Sequence, residues 1–330
     1  MMERVVLIGT GGFGQCWEPA LTTLSEYFQV VGVVEPDDGE RARSAKLYQL
    51  PDPRAVAALP LLARWQPTLV IDSSPFRHRL ANAEAAFAAG ADFIGAKPLG
   101  ISLTEAEQII DAGQSAGRRV AVAQQMRYFP CFLALRRLLQ SGDLGSIRSV
   151  RVRMALDGRG WAPGTDWRLE LDQPLLREAA IHHFDLLRWC LSTEMTVVAL
   201  AAWNPPWSPF TGDASVTGLL RTEAGAPIVY DATFAPAPDQ TPVRFDSGWD
   251  VVCDGGRVVV HEGALSVDGQ LVEPTSPQAE PVPLEILNED LLRVWLDCKT
   301  ADAVPPFSGA DNLHSMTLLE QALRLASTKR

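Results

Sequence analysis

The stretch that decides the fold is RVVLIGTGGFG, residues 4–14. It runs from Arg4 through four apolar residues typical of a buried strand and breaks into glycines at Gly9. The residues that follow, FGQCWEPALTTLSEY, can continue as a helix. The chain is therefore predicted to open with a short strand, a glycine turn and a helix.

The same alternation of strand and helix continues outward from this stretch. A second strand, FQVVGVVE, ends at Glu35, and DDGERARSAKLY reads as the next helix. Three more apolar strands, PTLVIDSS, ADFIGA and RRVAVAQ, are separated by helical stretches around residues 76–89 and 103–116. This alternation predicts a doubly wound parallel sheet covered on both faces by helices and extending to about residue 123.

The pattern changes after residue 123. A helical segment is followed by consecutive apolar segments such as SIRSVRVRMAL and APIVYDATF, which are joined by short Gly or Pro turns. Such segments predict a large, mostly antiparallel open sheet. The predicted fold class is therefore α/β, with a parallel-sheet domain over 1–123 and an α+β domain over 124–330. A closing helix over 309–327 can pack back on the first domain.

Length and composition support two globular domains. The chain has 330 residues, enough for two hydrophobic cores, and no uninterrupted apolar run approaches the ~20 residues that span a bilayer. Its start leads directly into a strand and glycines, unlike a signal peptide. We therefore expect a soluble, cytoplasmic protein with no membrane partner.

Charge and cysteine content exclude further classes. A net charge of -11 disfavours a nucleic-acid partner, because phosphate backbones are bound by clustered Lys and Arg. The five cysteines are scattered and contain no Cys-x-x-Cys pair, so we expect reduced, buried thiols. Neither a redox centre nor a zinc centre is predicted.

The glycines point to a nucleotide. Gly9, Gly11 and Gly14 form G-x-G-x-x-G between a strand and a helix, where the backbone can approach a pyrophosphate. Glu35 ends the second strand 21 residues after Gly14, where a carboxylate binds an adenosine ribose and repels a 2'-phosphate. Alternatively, the glycines serve only a tight turn and Glu35 only begins a loop. We predict NAD, with NADP second, and the predicted cofactor loop also includes Thr10, Gly12 and Phe13.

Two further stretches carry groups suited to chemistry. GAKPLG, residues 95–100, places Lys97 at the carboxyl edge of the parallel sheet, either as a solvated charge or facing a ligand. REAAIHHFD, residues 177–185, places Glu178, His182 and Asp185 on one stripe of a helix at 100° per residue. That stripe is either a solvated face, with Glu178 paired to His182 at i,i+4, or a working site. A metal would lack a third ligand at familiar spacing, so none is expected.

Several of these motifs together resemble a known family. GTGGFG, the acid-Pro-Asp after the second strand, SSPFRH, AKPLG and AAIHHFDLLRWCL occur in this order, which resembles the glucose-fructose oxidoreductase, inositol dehydrogenase and MocA family, Gfo/Idh/MocA. The resemblance covers nearly the whole chain. It implies an N-terminal Rossmann domain, an open C-terminal sheet, a homodimer or homotetramer, and NAD(P)-dependent oxidation or reduction of sugars and polyols.

The resemblance also assigns the catalytic roles. In such enzymes the lysine of Glu-Lys-Pro and the histidine of Asp-x-x-x-His flank the carbon that exchanges hydride. These roles fall on Lys97 and His182, with Glu178 at the aspartate position and Ala96 in place of the usual glutamate. His182 would be the acid and base, and Lys97 would stabilise an alkoxide. The alternatives are a non-enzymatic NAD sensor and an enzyme that uses NAD only transiently, for elimination or glycoside cleavage.

The resemblance implies the remaining contacts as well. SSPFRH lies near the cofactor in the family, and QQMRYFP and TDWRLELD border the substrate. Lys97 is expected to contact cofactor and substrate, and His182 the substrate, while His183 is expected to be structural. The other implied contacts are Ser74, Pro75 and His78 for the cofactor, and Arg127, Trp167 and Arg168 for the substrate.

Overall fold

The computed structural model describes residues 2–51, 55–56, 59, 62–158, 167–272, 275 and 280–327. The strands are β1 (Glu3–Ile8), β2 (Phe28–Val34), β3 (Ala55–Val56), β4 (Leu69–Asp72), β5 (Asp92–Gly95), β6 (Val120–Val122), β7 (Ile147–Ala155), β8 (Met195–Trp203), β9 (Ser215–Thr222), β10 (Pro227–Thr233), β11 (Trp249–Cys253), β12 (Gly256–His261), β13 (Ala264–Val267) and β14 (Gln270–Leu271). The α-helices are α1 (Glu18–Thr23), α2 (Asp38–Leu47), α3 (Arg79–Ala88), α4 (Leu103–Ser115), α5 (Pro130–Ser141), α6 (Ile181–Leu191), α7 (Leu284–Thr300) and α8 (Gly309–Ser327).

The chain divides into two compact units. The first contains Met1–Gln125 and Pro283–Met316, and the second contains Met126–Val282 and Thr317–Arg330. The sequence placed all of 124–330 in the second domain, whereas 283–316 belongs to the first unit. The reason is local bonding of α7: Asn288 donates to the carbonyl of Cys16 at 3.0 Å, and Lys299 pairs with Glu3 at 2.6 Å.

The first unit contains a six-stranded sheet in the order β3-β2-β1-β4-β5-β6, and its pairings are parallel. The order reverses beside β1, which confirms the predicted doubly wound sheet. The central strands β1, β4 and β5 are buried at nearly every residue, as in a sheet with helices on both faces. The register aligns Ile8 with Asp72, Asp72 with Gly95, and Gly95 with Val122, so the segments after these strands leave at one edge.

The second unit contains an eight-stranded sheet in the order β14-β13-β12-β11-β7-β10-β9-β8. Its pairings are antiparallel except for β7 with β10, which confirms the predicted mostly antiparallel sheet. Alternate residues of β10 are buried and exposed, as in a sheet with one covered face. Phe132 of α5 contacts Trp249 of β11 with ring centroids 5.0 Å apart, so α5 packs on the covered face.

Several elements differ from the sequence prediction. The segment after the glycine turn is a 3-10 helix over Gly12–Trp17, and α1 begins only at Glu18. The strands β3, β13 and β14 have no counterpart in the sequence prediction, because two to four strand residues give too little periodicity to recognise. The helix α7 was also missed, although its buried residues Leu287, Leu291 and Trp295 recur at helical spacing. The five cysteines are unpaired: Cys131, Cys190 and Cys253 are buried as expected, while Cys16 and Cys298 are half-buried. No helix in the described ranges is both long and apolar enough to cross a bilayer.

Candidate active site

The glycines after β1 serve different purposes. Gly9 has φ +77°, and a Cβ there would lie 2.8 Å from the backbone nitrogen of Ser74. A Cβ on Gly14 would lie 2.1 Å from the carbonyl oxygen of Gly9. Gly11 differs, since its φ of -86° suits any residue and its Cβ would meet only Glu40, at 3.6 Å. The space beside Gly11 is therefore left open by the protein's own packing, as close approach of a pyrophosphate requires.

Glu35 joins the end of β2 to the glycine loop. Its Oε2 accepts hydrogen bonds from the backbone nitrogens of Thr10 at 2.7 Å and Gly11 at 3.3 Å, and its Oε1 accepts from Asp37 at 3.0 Å. The hydroxyl of Thr10 is buried without a hydrogen-bond partner in the described part of the chain. An acid at the end of β2 and an unsatisfied hydroxyl in the loop both fit a bound dinucleotide.

Two arginines of α2 also reach this loop. Arg41 donates to the carbonyl of Glu35 at 2.8 Å, and Arg43 donates to the carbonyl of Thr10 at 3.0 Å. The sequence predicted the helix that carries both arginines, but only the fold shows that their side chains return to Glu35 and Thr10. Arg43 pairs with Glu18 at 2.6 Å, and Arg41 pairs with Asp38, so neighbouring carboxylates offset both charges.

A buried network holds the turn after β4, where the sequence placed Ser74 and Pro75. Arg79 pairs with Asp72 at 2.9 Å and donates to the carbonyl of Ser74 at 3.1 Å, while Asn82 donates to the Ser74 hydroxyl at 3.0 Å. This network fixes the Ser74 backbone against Gly9. The sequence prediction missed Arg79 and Asn82, whose only signal was a polar side chain in an alanine-rich helix.

His78 and Phe13, both predicted cofactor contacts, each contact a neighbouring side chain. His78 is exposed and accepts a hydrogen bond from Arg77 at 3.2 Å. Phe13 is half-buried and contacts Trp17 edge-to-face, with centroids 6.3 Å apart.

Lys97 follows β5 at the same sheet edge. Gly95 is in register with Asp72, and the backbone nitrogen of Ala96 donates to the carbonyl of Asp72 at 2.8 Å, which continues the parallel ladder by one residue. Lys97 is half-buried, and its peptide bond to Pro98 is cis. The glycine loop, Ser74 and Lys97 thus lie along the carboxyl edge of one sheet, where doubly wound folds bind their ligands.

The helix that carries the histidines is buried on all sides. His182 is 5% exposed, His183 0% and Asp185 1%, so the interpretation of this stripe as a solvated face is wrong. The reason is packing: α6 contacts α5, and Phe184 and His183 contact Tyr230 of β10. A polar stripe in a helix enclosed in this way needs partners within the protein.

Glu178 lies in a single π-helical turn, Leu176–Ala180, that precedes α6. Because π-helical bonds join residue i to i+5, the 100° projection that aligned Glu178 with His182 does not hold across this turn. Glu178 instead accepts a hydrogen bond from Arg168 at 3.0 Å, and the Arg168 guanidinium lies 4.9 Å from the ring centroid of Trp167. The structure therefore brings three predicted site residues together.

Two aromatic side chains missed by the sequence surround the histidines. Phe245, from a loop, contacts His182 edge-to-face at 5.7 Å between centroids and stacks on His183 at 4.2 Å. Nδ1 of His183 lies 3.0 Å from the hydroxyl of Tyr230, and burial lowers the pKa of His183 to about 3. A neutral, enclosed His183 supports the prediction that it is structural. Phe245 gave no signal, because loop residues follow no period.

Arg127 is placed inside the second unit. It is 2% exposed, and its Nε and Nη2 donate to the two carboxylate oxygens of Asp185 at 2.6 Å and 2.5 Å. The resemblance assigned Arg127 to the substrate, whereas this geometry directs two of its donors to α6.

The loops 157–172 and 204–213, the first of which contains the predicted substrate segment TDWRLELD, meet through backbone hydrogen bonds. Thr211 donates to Leu169 at 2.9 Å, and Asp213 donates to Asp172 at 3.0 Å. Residues 159–166 of the first loop lie outside the described residues. No group of three or more His, Cys, Asp or Glu that could hold a metal is found among the residues that the structure describes.

The fold and the family comparison define an NAD-binding oxidoreductase. Residues 3–124 match the model of an oxidoreductase family with an NAD-binding Rossmann fold, and residues 132–259 match the GFO/IDH/MocA C-terminal domain. The chain therefore belongs to the Gfo/Idh/MocA family, which confirms the resemblance seen in the sequence and the predicted NAD cofactor.

Three similar proteins illustrate the relationship. The chain is 26% identical to inositol 2-dehydrogenase 4 of Saccharopolyspora erythraea over 93% of this chain and 88% of that protein. It is 26% identical to D-apiose dehydrogenase of Paraburkholderia graminis over 72% of this chain and 65% of that protein. An oxidoreductase from Agrobacterium radiobacter, solved with NAD+, L-tartaric acid and magnesium, has the same fold, with TM-score 0.86, 20% identity and coverage of 100% and 98% of the two chains.

Proposed function

We propose that the protein catalyses reversible hydride transfer between nicotinamide C4 and a secondary alcohol carbon of a sugar or polyol. The observation that carries this proposal is the position of Lys97, which shares the carboxyl edge of the sheet with the glycine loop. Relatives named as inositol and apiose dehydrogenases support an alcohol substrate of this class.

In this proposal His182 is the acid and base. Oxidation of an alcohol releases a proton together with the hydride, and an imidazole has a reference pKa of about 6.5, near working pH. His182 is almost fully enclosed, and the ring of Phe245 contacts its edge or face, so the imidazole is held in a restricted orientation. A positioned base of this kind contributes on the order of a hundredfold or more to the rate.

Lys97 would stabilise the negative charge that develops on the substrate oxygen. A fixed ammonium lowers the proton affinity of the alcohol and acts most strongly where water is excluded. The glycine loop, Glu35 and the turn at Ser74 would hold NAD on the sheet edge, and NAD when bound would supply the hydride acceptor or donor.

We assign Glu178, Trp167 and Arg168 to the substrate side of the reaction. Glu178 would orient His182 or relay its proton. The hydrogen bond that Arg168 donates to Glu178 would hold the Glu178 carboxylate and the Arg168 guanidinium in place. The guanidinium stacked on Trp167 presents a planar donor beside an aromatic face, a combination suited to hydroxyl-rich ligands.

Two other functions remain as alternatives. Ala96, in place of the family's glutamate, fits a non-enzymatic NAD sensor, but the presence of both Lys97 and His182 argues against that function. The same residues would also serve an enzyme that uses NAD transiently. Absorbance of NADH across a panel of sugars and polyols separates the three: accumulation supports the dehydrogenase, product without accumulation supports transient redox, and neither supports the sensor.

We further propose a homodimer or homotetramer formed through the open face of the eight-stranded sheet. Val229 of β10 is 42% exposed on that face. Light scattering on the purified protein tests the assembly, and a monomer at micromolar concentration would contradict it.

A further inference from the structure

Gln125 follows β6 at the ligand-binding edge of the parallel sheet. Val122 is in register with Gly95, just as Gly95 is with Asp72 and Asp72 with Ile8. The glycine loop, Ser74, Lys97 and Gln125 therefore follow four neighbouring strands at one edge. Gln125 belongs to the segment QQMRYFP, which the family resemblance places beside the substrate.

The side chain of Gln125 is unusual in its burial. The residue is 2% exposed, and its Oε1 has no hydrogen-bond partner among the residues that the structure describes. Buried amide oxygens are almost always satisfied, because removing one from water without a donor is unfavourable. Its position at the ligand edge therefore points to a donor supplied by the ligand.

The strand order shows which half of NAD reaches this residue. The pyrophosphate belongs at the glycine loop after β1, and Glu35, at the end of β2, marks the side of the adenosine ribose. The nicotinamide half would then extend toward the ends of β4, β5 and β6, which lie on the other side of β1. Its ring carries one neutral donor group, the NH2 of the carboxamide.

We propose that Gln125 accepts a hydrogen bond from the carboxamide NH2 of nicotinamide and thereby fixes the rotation of the ring. Rotation about the glycosidic bond decides which face of C4 is presented for hydride transfer. The inference rests on the proposed function for the nicotinamide being the reacting group, but its test measures binding alone.

The test compares three ligands on Gln125→Met, which keeps the length of the side chain and removes the acceptor. Isothermal titration would measure NAD+, ADP-ribose, which lacks nicotinamide, and 3-acetylpyridine adenine dinucleotide, in which a methyl group replaces the NH2. Losing one buried hydrogen bond should raise the Kd for NAD+ about tenfold. The Kd for each of the other two ligands should change less than about twofold, because neither offers the donor.

Controls distinguish this result from a general effect. Gln114→Met, on the exposed surface of α4, should leave the three affinities unchanged, and thermal unfolding would establish that each variant folds. If Gln125→Met does not fold, Gln125→Glu, which retains an acceptor oxygen, should preserve the wild-type ratio of NAD+ to acetylpyridine-analogue affinity.

Three results would overturn the proposal. They are an unchanged Kd for NAD+ in Gln125→Met, an equal rise in the Kd for all three ligands in that variant, and a ratio of NAD+ affinity to acetylpyridine-analogue affinity in Gln125→Glu that falls below the wild-type value. A panel without hydride transfer would refute the proposed function and leave these binding results valid.

Discussion

The ion pair between Arg127 and Asp185 offers a direct test of how α6 is held. The two side chains are 2% and 1% exposed and share two hydrogen bonds, and Asp185 lies one turn after His182. The perturbations are Arg127→Met, Asp185→Leu and the double variant, which replaces both charges by apolar groups of similar size.

The expected magnitudes follow from burial. Removing one partner leaves a buried charge uncompensated, which costs about 3 to 5 kcal/mol of unfolding free energy. For a unit of this size that corresponds to a fall in Tm of roughly 6 to 20 °C. Replacing both partners removes the unpaired charge, so the double variant should lie within about 2 kcal/mol of the wild type.

Urea unfolding gives the free energies, and steady-state kinetics on a substrate identified by the panel gives KM. If Arg127 acts through Asp185, the double variant should have an unfolding free energy and a KM that are both near those of the wild type. Additive losses of stability would refute the coupling. A KM that stays raised in a stable double variant would instead support the direct substrate contact implied by the family resemblance.

Three further predictions follow from the site. Lys97→Ala and His182→Ala should each leave NAD affinity nearly intact and lower kcat on the order of a hundredfold or more, as judged by titration and steady-state rates; undiminished turnover in either variant would exclude its assigned role. Glu35→Ala should weaken NAD binding and lower the ratio of NAD affinity to NADP affinity, because the variant loses both the acceptor for the ribose and the charge that repels a 2'-phosphate. Isothermal titration measures the two affinities, and unaltered values for NAD and for NADP would contradict the role of Glu35. His183→Gln should make the stability of the fold less sensitive to acid. The pKa of His183 is about 3 in the folded protein and about 6.5 in the unfolded chain, so protonation favours the unfolded chain. Stability that is present above pH 6.5 is therefore lost as the pH falls toward 3. Between pH 7 and pH 5 the wild type should lose about 2 kcal/mol more unfolding free energy than the variant, and parallel pH curves would refute the assignment.

Much of the first unit could be predicted from the sequence, because local patterns specify it. The alternation of apolar segments and helices gave the parallel sheet, and Gly9, Gly14 and Glu35 occupy positions whose geometry a strand-turn-helix motif dictates. The cofactor follows from the same motif. Short-range physics therefore determined both the fold class and the nucleotide half of the site.

The second half of the site depended on contacts between distant residues. The motif around His182 was recognisable, but its amphipathic pattern suggested water on one side, whereas the structure encloses it. The packing of α5 and the sheet around α6 buries Asp185, which therefore needs a partner within the protein. That partner is Arg127, 58 residues earlier in the chain.

The sequence by itself determined that this protein has a dinucleotide-binding parallel sheet, an open second sheet, and a lysine and a histidine in family positions. These features could be recognised because they depend on short periods and fixed spacings along the chain. The tertiary structure alone decided that Glu178 bonds to Arg168 across a π-turn, that Phe245 packs against both histidines, and that Gln125 carries a buried acceptor at the sheet edge. These depend on burial and on partners far apart in sequence, which no local pattern encodes.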